Sequence, residues 1–83
     1  MEYATQTIYV FAARYAHRRN TGAAWRVVSE LKIVWPLLSE HTRDQIVNES
    51  REARYCPQDW EALREFAARY NANSDASQDE EEL

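Results

Sequence analysis

The sequence contains three His or Cys side chains, which can bind metals or act as a nucleophile and its base: His17, His41 and Cys56. Zinc sites usually contain a closely spaced pair of ligands, and these three residues are far apart in sequence. A Cys–His nucleophile would also need an oxyanion hole and a pocket of about 300 Å³ or more, which short helical chains seldom enclose. We therefore predict no metal site, no cofactor and no catalysis. His17 is interpreted as a solvated side chain near a helix C-terminus.

Basic residues form the strongest surface signal. Arg14 and Arg18 are one helical turn apart, Arg19 follows, and Arg26 comes soon after, beside Trp25. Arginine with adjacent aromatic rings can hold phosphates or stack on bases, so nucleic acid is one candidate ligand. A solvated helix end is the alternative interpretation.

Two large side chains of the second predicted helix, Trp25 and Ile33, lie off its main apolar stripe and have no obvious inner partner. A binding partner would cover them. The residues predicted to form a binding surface are Arg14, Arg18, Arg19, Trp25, Arg26 and Ile33.

Composition favours a small helical domain. The chain has 83 residues with a net charge of −4, one glycine, two prolines and one cysteine. A many-stranded sheet is disfavoured, because its reversals would need more glycine and other turn-forming residues. A lone cysteine excludes an internal disulfide and favours a reducing compartment. No apolar run approaches the ~20 residues of a membrane span, and no secretion signal is evident. A cytoplasmic protein that does not enter the membrane is the expectation.

Apolar spacing predicts an all-α fold, a compact bundle of about four short helices. In the first, Ile8, Phe11, Ala12 and Tyr15 recur at helical spacing and therefore share one face. Because this helix is apolar nearly all round, it is either central in the fold or pressed against a second chain. The predicted helices span residues 4–19, 22–35, 40–54 and 57–70.

The later helices have clearer boundaries. Pro36 should stop the second helix, Ser39 should cap the third, and Pro57 suits the first position of the fourth. The core stripe of the second helix is predicted as Ala24, Val27, Val28, Leu31, Val34 and Trp35. That of the fourth is predicted as Trp60, Leu63, Phe66, Ala67 and Tyr70.

One pentapeptide, Phe-Ala-Ala-Arg-Tyr, occurs at residues 11–15 and again at 66–70. We interpret the repetition as chance, since the flanking sequences differ and repeat arrays need at least three copies. The last thirteen residues carry five acids and no base. Their lack of apolar periodicity predicts a disordered acidic tail at 72–83, after a helical domain at 1–71; the tail would either confer solubility or mimic phosphates.

Residues 8–54 resemble a group of small proteins of unassigned function encoded by tailed phages and prophages. The similar residues are Tyr15-Ala16-x-x-Arg19-x-Thr21-Gly22-Ala23, then Val28, Trp35, Leu38, Arg43, Ile46, Glu49 and Glu52-Ala53. The resemblance implies a context: short phage proteins of this kind often bind a host protein, and they include inhibitors of CRISPR effectors, transcription or nucleases. It transfers no functional residues.

These observations favour a non-enzymatic phage protein that binds and inhibits or modulates a host protein, such as an anti-CRISPR or another host-takeover inhibitor. Such a protein could bind its host target after dimerising through the first helix. The alternative is a small nucleic-acid-binding regulator that uses the arginines, although its candidate reading helix at 40–54 carries four acids against three arginines. A hydrolase that uses Cys56 is a third hypothesis.

Overall fold

A computed structural model describes residues 1–19, 22 and 24–82 of the chain, with side chains described as far as residue 73. Within these residues the fold is all-α, as predicted, with no β-strand. The helices are α1 (Tyr3–Arg19), α2 (Ala24–Val34), α3 (Glu40–Ser50) and α4 (Pro57–Glu82), and a short 3₁₀ helix, Trp35–Leu37, follows α2. None of the described helices is both long and apolar enough to cross a membrane.

The four helices form a bundle in which α1 packs against α2 and α3, and α4 packs against the same two helices from the other side. Trp35 and Trp60 are almost completely buried at its centre, with Leu31, Ile46 and Leu63 around them. The predicted core stripes of α2 and α4 are confirmed, since every member is buried or half-buried. Two tryptophans thus supply much of the volume of a small core.

The predicted boundaries hold at Pro36, Ser39 and Pro57. Pro36 lies in the 3₁₀ turn that ends α2, and the hydroxyl of Ser39 accepts a hydrogen bond from the backbone N–H of Thr42.

The predicted end of the third helix was wrong, because α3 ends at Ser50 and not at residue 54. The backbone N–H groups of Arg54 and Tyr55 both donate to the carbonyl oxygen of His17, at 3.0 and 3.3 Å. These amides are therefore bonded to the end of α1 and cannot continue α3.

The face of α1 that carries the Ile8, Phe11, Ala12 and Tyr15 stripe points outward. Ile8, Phe11 and Tyr15 are 63%, 57% and 59% exposed, and Ala12 is exposed with them. The buried face lies on the opposite side of the helix and consists of Val10, Ala13, Ala16 and His17. Small alanines let α1 approach its neighbours closely, whereas the core space is already filled by the tryptophans.

The predicted acidic tail at 72–83 falls mostly on residues whose side chains lie outside the described part of the chain. The boundary at residue 71 and the disorder of the tail stay predictions.

Candidate functional site

The outward face of α2 carries large apolar side chains in one row. Trp25, Ile33 and Leu37 are 58%, 77% and 60% exposed. They are spaced by multiples of four residues, with exposed Ser29 between Trp25 and Ile33, so they line one side of α2 and the turn that follows. A single exposed apolar residue is ordinary, but three on the same side of one helix and its terminal turn expose more apolar surface than one residue does.

Arg26 lies beside this row and stacks on its aromatic member. The guanidinium carbon of Arg26 is 5.3 Å from the centre of the Trp25 ring, within the range of a cation–π contact. The contact holds two flexible side chains together at the start of α2. Two of the predicted binding residues, Trp25 and Arg26, are therefore in contact. We call Trp25, Arg26, Ile33 and Leu37 the α2 surface.

A second exposed surface lies on α1. A depression of about 360 Å³ is lined by two aromatic side chains and three arginines: Phe11, Arg14, Tyr15, Arg18 and Arg19. The predicted basic residues of α1 therefore lie together, beside the aromatic rings of Phe11 and Tyr15.

Arg14 is engaged within the fold. Its Nε and Nη2 donate to Oε1 and Oε2 of Glu49 at 2.7 and 2.8 Å, which ties α1 to α3. Arg14 also lies 5.3 Å from the centre of the Phe11 ring. The hydrogen bonds from Arg14 lower the pKa of Glu49 and keep it ionised, and the pKa of Arg14 is raised in turn. The charge of Arg14 is thus largely neutralised by Glu49.

Arg18 and Arg19 are exposed at the end of α1, whereas Trp25 and Arg26 are exposed at the start of α2. The two pairs are joined by residues 20–23, of which only Gly22 is described. Ile33 lies two helical turns beyond Arg26 on the outward side of α2. The six predicted binding residues therefore divide between an α1 set and an α2 set.

Sequence reasoning did not identify Leu37 as exposed, and it left open which apolar stripe of α1 faces outward. For α1 the sequence did indicate that an apolar face would be exposed, because this helix carries two apolar stripes. Only one of them could face a bundle in which α1 contacts two neighbours.

The interpretation of His17 as a solvated residue was wrong. Its side chain is 1% exposed, and neither ring nitrogen has a hydrogen-bond partner among the described residues. Burial lowers the pKa of the imidazole, and the nearby charge of Arg18 lowers it further. His17 belongs to the core.

The other two candidate chemical residues are not assembled into a site with His17. His41 is exposed on α3, and Cys56 is half-buried before α4. Among residues 1–19, 22 and 24–82 there is no group of three or more His, Cys, Asp or Glu placed to hold a metal ion.

The chain matches no family model, and neither the curated proteins nor the solved structures contain a significant match. Several residues of the sequence pattern given above, from Tyr15 to Ala53, can be located in the fold. Val28, Trp35, Leu38 and Ile46 are buried, and Glu49 holds Arg14. These residues position the helices.

Proposed function

We propose that this protein acts without covalent chemistry, by binding a larger protein through the α2 surface and covering part of it. The observation that carries the proposal is the row of three large apolar side chains exposed on one side of α2 and its C-terminal turn. Burying them against a partner would remove apolar surface from water, which is the main driving force of association.

The types of residue in the α2 surface support this proposal. Tryptophan and arginine are the residues most often found to dominate the binding energy of protein interfaces. Trp25 and Arg26 are already stacked, so less side-chain freedom is lost when a partner binds. Ile33, at 77% exposure, would then lie near the middle of the contact.

The size of the surface indicates what kind of partner would fit. From Trp25 to Leu37 the row extends along about twelve residues, or roughly 18 Å at 1.5 Å per helical residue. A row of this length fits a hydrophobic groove on a larger protein, as amphipathic helices do in known complexes. Arg26, at the N-terminal end of the row, would favour an acidic residue at the corresponding end of the partner's groove.

The resemblance to phage proteins supplies the biological setting of the proposal. In that setting the partner is a protein of the bacterial host, met in the cytoplasm, and the outcome of binding is inhibition. An effector of CRISPR immunity is one such target. The acidic C-terminal residues would add electrostatic repulsion of nucleic acid from the covered surface.

The proposal is tested by capture from host lysate with three forms of the protein. Wild type and Ala68→Glu, an exposed change on α4, should retain the same partner. Ile33→Glu should lose it, because a charge would be buried in the contact without a counter-ion. Each recovered protein is then purified and titrated by calorimetry against all three forms.

The expected loss for Ile33→Glu is at least about 30-fold in affinity, as for a central interface residue worth 2 kcal/mol. Circular dichroism establishes that the variant is folded. Equal binding of Ile33→Glu and Ala68→Glu to every partner would refute the role of the α2 surface. So would the absence of any specific partner.

A second candidate, nucleic-acid binding through the arginines, draws support from the depression lined by Phe11, Tyr15 and basic residues on α1. It is weakened by Glu49, which neutralises Arg14 and leaves two exposed arginines there. Gel shifts at low and moderate salt test it, because binding that depends on phosphate contacts weakens steeply with salt. The variant Arg18→Gln should weaken any such shift, with Arg69→Gln on α4 as its control.

A further inference from the structure

The outward face of α1 has the residue spacing of a helix–helix seam. Ala4, Ile8, Phe11, Tyr15 and Arg18 are all exposed, and they follow one another at intervals of four, three, four and three residues. This alternation repeats every seven residues and is the pattern by which one helix packs along another. The occupant that fits this face is therefore a helix at a shallow crossing angle.

We propose that this helix is α1 of a second copy of the same chain, packed antiparallel about a two-fold axis near residues 9 and 10. This pairing sets Ile8 against Phe11 of the partner, and Ala4 against Tyr15 of the partner. By the two-fold symmetry each of these contacts occurs twice. The inference concerns α1 and is independent of the function proposed for the α2 surface.

Side-chain size supports the antiparallel register. Tyr15 projects from α1 with 59% of its surface exposed, and it needs a small residue opposite. Ala4 is the small residue of the seam. In a parallel pair Tyr15 would face its own copy and Ala4 would face Ala4, which would leave a gap at one end and a clash at the other.

Charge favours the same direction of packing. Arg14, Arg18 and Arg19 all lie in the C-terminal half of α1, so parallel helices would bring like charges together. Antiparallel helices separate them and move Arg18 and Arg19 toward the end of the partner helix that carries Glu2. Glu2 is the only acidic residue among the first nineteen.

The available area fits an association that depends on concentration. Aromatic side chains bury about 150–250 Å² each when fully covered, so the exposed parts of Phe11 and Tyr15 offer roughly 170–290 Å² per copy. Ile8, the alanines and the aliphatic parts of the arginines add to this area. A standard interface is larger, because it covers about 800 Å² per partner. We expect a reversible dimer that forms as the protein is concentrated.

Sedimentation equilibrium of the full chain, from low micromolar to high hundreds of micromolar, is the primary test. Wild type should pass from monomer to dimer over this range. Phe11→Glu should raise the dissociation constant at least about tenfold, since each copy would bury a charge in the seam. Ile33→Glu, an equally polar change on α2, should leave the dissociation constant unchanged.

A wild-type protein that stays monomeric over the whole range would overturn the proposal. So would a dimer that Ile33→Glu disrupts and Phe11→Glu does not, because the contact would then lie on α2. If Phe11→Glu proves unfolded by circular dichroism, Ile8→Glu takes its place, since Ile8 is 63% exposed.

Disulfide trapping tests the direction of packing. Ala4→Cys and Tyr15→Cys are made separately in a Cys56→Ser background, mixed, and oxidised with copper phenanthroline. Antiparallel packing predicts cross-linking between the two variants and little within Ala4→Cys alone. Efficient cross-linking of Ala4→Cys to itself would show parallel packing and overturn the proposed geometry.

Discussion

His17 and Trp60 meet edge to face in the middle of the bundle. Their ring centres are 5.3 Å apart, the planes are inclined at 85°, and both side chains are almost completely buried. The carbonyl oxygen of His17 accepts two backbone hydrogen bonds from the segment that leads into α4. One residue of α1 thus fixes both the core contact with α4 and the path of the chain that precedes it.

Stability should depend on pH through His17. Burial lowers the pKa of its imidazole, as does Arg18, while Glu49 and Glu52 partly oppose them. The unfolded chain therefore binds a proton on this histidine at a higher pH than the folded chain. By linkage, the contribution to stability is complete above the ordinary pKa of about 6.5 and declines as the pH falls below it, until the folded histidine is itself protonated. Urea unfolding at a series of pH values above about 5 measures this decline.

His17→Leu should remove most of that pH dependence, because no proton can bind at the site. At neutral pH the variant should be about as stable as wild type, since an apolar group replaces two ring nitrogens that have no partner among the described residues. His41→Asn, which replaces an exposed histidine of α3 and leaves His17 in place, is the control and should retain the decline that depends on His17. A decline that disappears in His41→Asn and persists in His17→Leu would contradict this account.

The ion pair between α1 and α3 should contribute measurably to stability. Glu49 accepts two hydrogen bonds from Arg14 and a third from Gln45, at 3.0 Å. Both charged side chains are less than one-third exposed, so the pair is only partly screened by water. We expect Glu49→Gln to lower the free energy of unfolding by about 1 kcal/mol at neutral pH, measured by urea unfolding.

Acid should weaken the same contact. Because Arg14 lowers the pKa of Glu49, this carboxylate contributes stability above its ordinary pKa, and the contribution is lost as the pH falls through the lowered value. Glu49→Gln should therefore lose less stability in acid than wild type does. Glu61→Gln, an exposed change on α4, is the control, and equal effects of the two substitutions would show that the Arg14 contact is not stabilising.

Most of the fold could be predicted from local sequence signals. Pro36, Ser39 and Pro57 act within one or two turns of their own positions, and the predicted boundaries there are correct. The end of α3 could not be found in this way, because the amides of Arg54 and Tyr55 are bonded to a carbonyl nearly forty residues away.

The repeated pentapeptide shows why the sequence alone could not identify the buried face of α1. In the first copy Phe11 and Tyr15 are exposed and Ala13 is buried. In the second copy Phe66 packs against the core and Ala67 is buried instead. The same five residues thus face the bundle with different sides, so their order cannot specify which side is buried. The apolar pattern of the second helix placed Trp25 and Ile33 outside the core. It did not show that Leu37, which follows Pro36, is exposed as well.

Ser39 should be important for the start of α3. Its hydroxyl accepts from the N–H of Thr42 at 3.2 Å, and its own N–H donates to the side chain of Gln6 in α1 at 2.9 Å. Ser39→Ala removes the first bond and keeps the second, so thermal or urea unfolding should show a loss of about 1 kcal/mol. Ser39→Asp keeps an acceptor at this position and should be close to wild type. Equal losses for the two substitutions would show that the cap does not matter.

Cys56 should respond to substitution mainly through its backbone. Its φ angle is +50°, in the left-handed region that non-glycine residues adopt at a cost of about 1 kcal/mol or more. Cys56→Gly and Cys56→Ala both remove the half-buried thiol, but only glycine relieves the strain. We expect the glycine variant to match or exceed the alanine variant in stability, by up to about 1 kcal/mol once the greater freedom of unfolded glycine is counted. Ala62→Gly is the control, because Ala62 lies inside α4, where glycine relieves no strain. This substitution should lower the free energy of unfolding by about 1 kcal/mol. If Cys56→Gly were also about 1 kcal/mol less stable than Cys56→Ala, the positive φ of Cys56 would carry no strain.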